Sequence, residues 1–216
     1  MSTSAEELRE RFAVYGRYYE ANLGGRRFEL RSHLEIFERS LSWPQAADVQ
    51  ADLVAVMMNP GGSRPLAEPD TRGWAPALPD RTQYQLMKLA LRAQAAGRRL
   101  QHIRVINLSD LRTPKSAELF ATLGGLADNR HSIFSPRRAV ELQKALGPGP
   151  RPLLLRAWGM ARQLEPLALS AIAATSDCEV LGLTDNGSAY RHPLPQRVDF
   201  QQRWLEQMAA QLASAR

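Results

Sequence analysis

Four short apolar runs, each followed by a polar loop, constrain the fold of this chain more than any other feature. The runs are DLVAVMM before Asn59, IRVINL with Asn107 near its end, LLLRAW before Gly159, and CEVLGL up to Leu183. Runs with no polar alternation, bounded by turn residues, are typical of strands that are buried on both faces of a sheet. The sequence therefore predicts four strands of a parallel sheet.

Segments with helical spacing separate these runs. Helices are predicted over residues 82–96, 136–146, 160–175 with an interruption at Pro166, and 199–213. Strands that alternate with helices predict an α/β fold, here a three-layer α/β/α arrangement around a central, mainly parallel, four-stranded sheet. Ligands of such folds bind beyond the carboxyl ends of the strands, so we expect the site in the polar loops.

The N-terminal residues give weaker signals. Ser4 and Glu7 have the spacing of a capping box and predict a short helix over residues 4–12. The stretch RRFELRSHLEIF alternates weakly and fits either an edge strand or a helix. We expect one domain over residues 1–216, with a core of about residues 50–213 and an N-terminal helix and possible edge strand in residues 1–49.

Charge and cysteine content limit the partners and the location. Lys and Arg outnumber Asp and Glu by 28 to 22, which favours a polyanionic partner or only a basic solvated surface. Cys178 is the single cysteine, so a disulfide within the chain and a cysteine-ligated zinc or iron–sulfur centre are excluded. The four histidines show no metal spacing, no run is apolar enough for a membrane span, and the first residues lack a signal peptide's apolar segment. We expect a cytoplasmic protein with no metal, no other cofactor and no membrane partner.

Polar residues that follow the predicted strands are the candidate site residues. Asn59 leads into Gly61 and Gly62, whose backbone amides can approach an anion or a carbonyl oxygen, although Asn-Pro-Gly-Gly can also be only a tight turn. Asn107 offers two donors and one acceptor with which to read the edge of a base, or it caps the turn that follows. His192 can donate to a developing oxyanion, or it has a structural role.

Taken in order, the segments MMNPGG, VINLSDLRTP, RAWG and GLTDNGSAYRHPLP resemble motifs of an uncharacterised bacterial family known only as a domain of unknown function. The resemblance covers roughly residues 53–200 and is specific as a series. Strand by strand, the series also resembles the uracil-DNA glycosylase superfamily. The sheet of that superfamily has four parallel strands, and its site is built from the loop after the first strand, an Asn that ends the second, and a His-Pro loop after the fourth.

This resemblance implies a role for each candidate residue. Asn59 would position the attacking water, Asn107 would read the base edge, and His192 would support negative charge on the base oxygen as the N-glycosidic bond breaks. Residues expected to contact the base are Asn107, Gly61, Gly62 and Trp158, although Trp158 can equally be a core residue. Residues expected to contact the nucleic acid are Ser63, Arg64, Arg112, Arg191, Pro193, Leu194 and Arg197.

The expected function is hydrolysis of the N-glycosidic bond of a modified or mismatched base in DNA, whose nucleotide must be flipped out of the stack. Such an enzyme is a hydrolase of the DNA N-glycosylase type, and its partner is single-stranded or mismatched DNA. Two alternatives stay open. The chain binds or hydrolyses a free nucleoside or nucleotide-type metabolite, or it is a nucleic-acid-binding relative without catalytic activity.

Overall fold

A sheet of seven strands forms the centre of the molecule. The computed structural model describes residues 3–43, 49–127 and 129–215. The strands are β1 (Phe12–Leu23), β2 (Arg26–Glu38), β3 (Leu53–Met57), β4 (Trp74–Pro76), β5 (His102–Asn107), β6 (Leu154–Arg156) and β7 (Val180–Leu181). The helices are α1 (Ala5–Arg11), α2 (Arg81–Ala95), α3 (Ser116–Gly124), α4 (Ala139–Leu146), α5 (Glu165–Ala174) and α6 (Val198–Ser214). Short 3-10 turns precede α4 and α5, at Pro136–Arg138 and Arg162–Leu164.

The sheet is mixed, with the strand order β4-β1-β2-β5-β3-β6-β7. Strands β5, β3, β6 and β7 pair in parallel, and they are the four strands predicted from the apolar runs. Strands β4, β1 and β2 are antiparallel, and β2 joins them to the parallel half through its pairing with β5. The prediction of a mainly parallel four-stranded sheet is therefore correct for one half of the sheet and wrong for the whole.

The N-terminal hairpin is the largest difference from the sequence prediction. Strands β1 and β2 meet at a turn in which Gly24 and Gly25 have φ angles of 55° and 77°, a conformation that glycine adopts without strain. Strand β2 is not an edge strand, because it is hydrogen-bonded to β1 on one side and to β5 on the other. Residues 12–38 thus belong to the central sheet rather than to a flanking segment.

Helices cover both faces of the sheet. Side chains alternate along β3, so Leu53, Ala55 and Met57 share a core with α1, α2 and α6. Val54 and Val56 point the other way and share a second core with α4 and α5. The chain is therefore an α/β protein with apolar packing on either side of its sheet.

Most predicted helices are confirmed within a few residues at their ends. Helices α2 and α6 match the predictions over residues 82–96 and 199–213, and α1 carries the predicted capping box. The helix predicted over residues 160–175 is shorter, because Pro166 lies in the first turn of α5 and begins the helix instead of interrupting it. No helix in the described ranges is both long and apolar enough to cross a membrane.

A buried ionic cluster holds the two halves of the sheet together. Glu35 of β2 accepts hydrogen bonds from His102 Nε2 and Arg104 Nε of β5, each at 2.7 Å, and all three side chains are buried. Burial opposes the charge on Glu35, but Arg104 and His102 hold the pKa of this carboxyl below its ordinary value. Arg104 Nη1 also donates to the carbonyl oxygen of Ala145 at 3.1 Å, which ties α4 to the cluster.

We expect Glu35→Gln to lower the free energy of unfolding by about 3–5 kcal/mol, because it leaves a buried Arg104 without its counter-charge. Urea denaturation followed by circular dichroism measures this loss. The matched control is Glu20→Gln, which breaks an exposed pair with Arg27 and should leave the denaturation midpoint unchanged. A Glu35→Gln protein as stable as the parent would contradict the assignment of this cluster as the joint between the two halves.

Candidate functional site

A cavity of about 310 Å³ opens beyond the carboxyl ends of β3 and β5. The polar residues of its lining include Arg31, Asn59, Asp80, Gln83, Asn107 and His192. Gly61 and Gly62 line it as well. The structure thus brings together Asn59, Asn107, His192 and both glycines, as expected for loops that leave parallel strands at the same edge of a sheet.

Asn107, the last residue of β5, has a buried carboxamide without a protein partner. Its side chain is 0% exposed, and neither its Nδ2 nor its Oδ1 forms a hydrogen bond within the described structure. Burying a donor and an acceptor in this way costs about 1–3 kcal/mol. Because natural structures rarely keep such a cost without a use, Asn107 is positioned to give one donor and one acceptor to a group in the cavity.

Asn59 differs from Asn107 because its amide group has a structural task. Its Nδ2 donates to the carbonyl oxygens of Leu111 and Thr113 at 3.1 and 2.9 Å, and to the Thr113 Oγ1 at 3.2 Å. These contacts fix the loop after β5 against the loop after β3. Within the described residues no hydrogen bond reaches the Asn59 Oδ1, so this oxygen is the atom with which Asn59 can accept from a group in the cavity.

Asp80 is a cavity residue that the sequence analysis missed. It caps the N-terminus of α2, where its Oδ1 accepts from the Gln83 backbone N–H at 3.0 Å and the Gln83 Oε1 accepts from its own N–H at 3.1 Å. Gly61, which has a φ of 63°, packs close to this carboxylate: a Cβ added to Gly61 would lie 3.7 Å from the Asp80 Oδ2. The spacing of Asp80 and Gln83 signals the start of a helix, but nothing local shows that this helix begins at the site.

His192 presents a neutral ring to the cavity. Its Nδ1 accepts from the backbone N–H of Leu194 at 3.1 Å, so the proton of the neutral ring sits on Nε2. Burial lowers the pKa of His192 below its ordinary value, against a weaker opposing effect of the Asp80 carboxylate. The ring is therefore neutral near pH 7, and its Nε2–H is a hydrogen-bond donor. Pro193 is buried and Leu194 is half-buried, so the His-Pro loop is partly held inside the fold.

Arg31 is the second residue that the sequence analysis missed. It comes from β2, and its side chain is 2% exposed. Its Nε and Nη1 have no hydrogen-bond partner within the described structure. No signal in the sequence around Arg31 could have placed it here, because its position depends on the pairing of β2 with β5, about 70 residues later in the chain.

Trp158 and Ser63 do not reach the cavity. Trp158 lies in the core shared with α4 and α5, on the opposite face of the sheet, with its Nε1 donating to the Ser188 carbonyl at 3.0 Å and its ring against Tyr190. The expected base contact of Trp158 is thus not supported, because the alternation along β6 directs this side chain away from the site. Ser63 is buried, and its Oγ donates to the Leu78 carbonyl oxygen at 3.2 Å.

The arginines expected to bind nucleic acid fall into two groups. Arg112 is held inside the fold, with its Nη1 2.7 Å from the Glu29 carboxylate and its guanidinium over the ring of Tyr18. Arg64, Arg191 and Arg197 are exposed. Arg191 pairs with Asp185 at 2.9 Å and Arg197 with Asp199 at 2.8 Å. Exposed pairs of this kind contribute little to stability, so these two cations can exchange a carboxylate for a phosphate.

A second cavity of about 550 Å³ shares His192 with the first. Arg191, Arg203 and the half-exposed ring of Phe200 also line it. The guanidinium carbons of Arg197 and Arg203 lie 4.5 and 5.8 Å from the centre of this ring. An exposed aromatic ring between two arginines next to the first cavity can stack on a base and contact its phosphates.

Comparisons with protein-family models, with curated proteins and with solved structures found no match to this chain. In the described ranges, no group of three or more His, Cys, Asp or Glu side chains is arranged to hold a metal ion.

The two asparagines of the cavity should respond in opposite ways to substitution by leucine. We expect Asn107→Leu to leave the free energy of unfolding unchanged or to raise it, because it removes polar atoms that have no protein partner. Asn59→Leu should lower it by about 1–3 kcal/mol, because three acceptors of the 111–113 loop lose their donor. Urea denaturation of the two variants side by side measures the difference. A loss for Asn107→Leu as large as that for Asn59→Leu would show that Asn107 has a structural role.

Proposed function

We propose that this protein is a DNA glycosylase-like hydrolase that cleaves the N-glycosidic bond of a modified or mismatched base in DNA. The observation that carries the proposal is the buried carboxamide of Asn107, which lacks a protein partner and lines the cavity at the end of β5. A base offers neighbouring donors and acceptors on its edge, which match the donor and acceptor of a carboxamide.

The size of the cavity supports a single base as the bound group. Ligand pockets are commonly about 300–1,000 Å³, and this cavity of about 310 Å³ lies at the lower end. A base flipped out of a DNA strand would enter the cavity while its sugar and phosphates stay outside. The second cavity and the ring of Phe200 then lie where the flanking nucleotides would pass.

Three side chains supply the groups that the hydrolysis needs. The water oxygen bonds to the sugar C1′, the bond from C1′ to the base nitrogen breaks, and that nitrogen takes the electron pair. Asn59 Oδ1 would position the water, and Asp80 would accept its proton, which a carboxamide cannot do. The His192 Nε2–H would donate to the base oxygen on which negative charge develops.

A free nucleoside or nucleotide is the second candidate substrate. The observation in its favour is that Arg191 and Arg197 are each paired with a neighbouring carboxylate, which weakens the positive field that DNA would meet. This candidate uses the same cavity and the same hydrolysis. The two differ in whether binding requires a strand.

We expect Asp80→Asn to lower the rate of base release by about 10²- to 10⁴-fold with little change in DNA affinity, because it removes a proton acceptor. Asparagine caps a helix as well as aspartate does, so α2 should stay intact. The measurement is abasic-site cleavage of labelled duplex and single-stranded oligonucleotides that carry uracil, mismatched, deaminated or hypermodified bases.

The matched control is Asp70→Asn, another aspartate that accepts backbone N–H groups, in the loop before β4, which lies outside the cavity lining and should release base at the parent rate. Absence of release from every oligonucleotide, with DNA binding retained, would favour a non-catalytic module. Absence of both would point to free nucleotides.

The salt dependence of DNA binding distinguishes a strand from a free nucleotide. We expect Arg191→Ala and Arg197→Ala each to reduce the slope of log affinity against log salt by about 1, because each removes one phosphate contact. Fluorescence anisotropy of a labelled oligonucleotide over a series of potassium chloride concentrations measures the slope. Arg27→Ala, near the turn of the N-terminal hairpin and outside the lining of both cavities, serves as the control. Unchanged slopes for both arginine variants would argue against a DNA path over this surface.

A further inference from the structure

A bulge in the N-terminal hairpin directs Arg31 into the cavity. The register of β1 against β2 shifts between Arg17 and Tyr18, so Arg17 pairs with His33 while Tyr18 pairs with Arg31, and Ser32 is the extra residue. A bulge of this kind changes the face on which the following side chains lie. Arg31 therefore shares the face of Tyr18 and Leu34, which is the face of the cavity, although strict alternation from His33 would place it on the other face.

The main chain holds Arg31 in this position. Its backbone N–H donates to the Asp110 carbonyl oxygen at 2.9 Å, and the neighbouring Leu30 bridges to Leu111. The segment after β5 thus continues the pairing with β2 beyond Asn107. As a result, the side chains of Arg31 and Asn107 line the same cavity from adjacent strands.

The charge of Arg31 is buried without a salt bridge. In the described part of the chain, no carboxylate lies within ion-pairing distance of its guanidinium, and its Nε and Nη1 have no hydrogen-bond partner. Burial lowers the pKa of Arg31, Tyr18 and Asp80 act in the opposite direction, and the nearby Arg112 adds to the lowering. The guanidinium of Arg31 stays protonated even so, because the ordinary pKa of arginine lies far above neutral pH. The protein therefore bears the cost of a buried cation that forms no salt bridge and whose burial Tyr18 and Asp80 offset only in part.

We infer that Arg31 is the oxyanion-binding residue of the cavity and that the ligand presents a negatively charged or carbonyl oxygen to it. Two sources share this chemistry: an oxygen of the bound base, on which charge collects as the base leaves, and a phosphate oxygen of a nucleotide. The inference rests on the proposed function only in that the cavity binds a base or a nucleotide. It adds a charged contact to the neutral donors that His192 and Asn107 provide.

Calorimetric titration of the whole protein with three probes tests this inference. The probes are urate, an anionic purine with carbonyl oxygens; adenine, a neutral purine without one; and inorganic phosphate. We expect urate, phosphate or both to bind, and adenine to bind more weakly than the anion that binds. Urate binding identifies the base as the source of the oxygen, and phosphate binding identifies the nucleotide. Binding of adenine as tight as that of the tighter anion, or no binding of either anion, overturns the inference.

Arg31→Met is the decisive variant. We expect it to weaken binding of the anionic probe by about 10- to 100-fold, because a hydrogen bond to a charged group is lost. We also expect the melting temperature of the unliganded protein to stay the same or rise, because the buried charge is replaced by an apolar side chain of similar length. Replacing an arginine that has only a structural role would not both weaken anion binding and leave the melting temperature unchanged or higher.

Arg104→Met is the matched control, because Arg104 is also a buried arginine but is paired with Glu35. It should lower the melting temperature and leave binding of the anionic probe unchanged. A fall for Arg31→Met comparable with that for Arg104→Met, or unchanged binding, would show that Arg31 is structural. Base release and anion binding are separate measurements, so loss of the first with retention of the second refutes the glycosylase proposal alone.

Discussion

The pairing of β2 with β5 is the constraint on which the rest of the structure depends. Glu35 makes this pairing specific, because its carboxylate is the shared partner of His102 and Arg104 where water has no access. A shift of β2 by one residue would turn Glu35 to the opposite face and leave these groups unpaired. Because the two strands are antiparallel, the residues of β2 that precede Glu35 lie towards the carboxyl end of β5. Arg31 therefore lines the same cavity as Asn107.

The parallel half of the sheet and much of the site follow from local sequence. Strand β3 is apolar throughout and β5 carries Ile103, Val105 and Ile106, so their burial can be predicted from composition, and polar residues lie at or shortly after their ends. Parallel strands place their carboxyl ends at one edge. The convergence of Asn59, Asn107 and His192 is then a consequence of topology and needs no knowledge of side-chain contacts.

The antiparallel half could not be predicted because its signals are not local. The buried residues of β2 include Arg31, His33 and Glu35, and a strand with charged residues inside does not show the apolar pattern by which buried strands are recognised. The bulge at Ser32 breaks the alternation further. Trp158 illustrates the opposite error: the sequence predicts it at the end of a strand at the site, but β6 ends at Arg156, and the side of the sheet to which Trp158 points depends on a register that the sequence does not reveal.

The distribution of charge in the cavity gives each polar group a distinct part in the proposed reaction. His192 adds no further positive charge to the cavity, because burial keeps its ring neutral while its Nε2–H stays available. Asp80 provides the carboxylate, at a helix N-terminus that favours negative charge. In the described structure single buried atoms of five other side chains also lack a partner, but Arg31 and Asn107 each leave two such atoms, and both residues line the same cavity. Unpaired buried polar groups at one cavity are typical of a site where stability is given up for binding. Arg31 and Asn107 cost the fold free energy, and they are therefore the residues that best define its ligand.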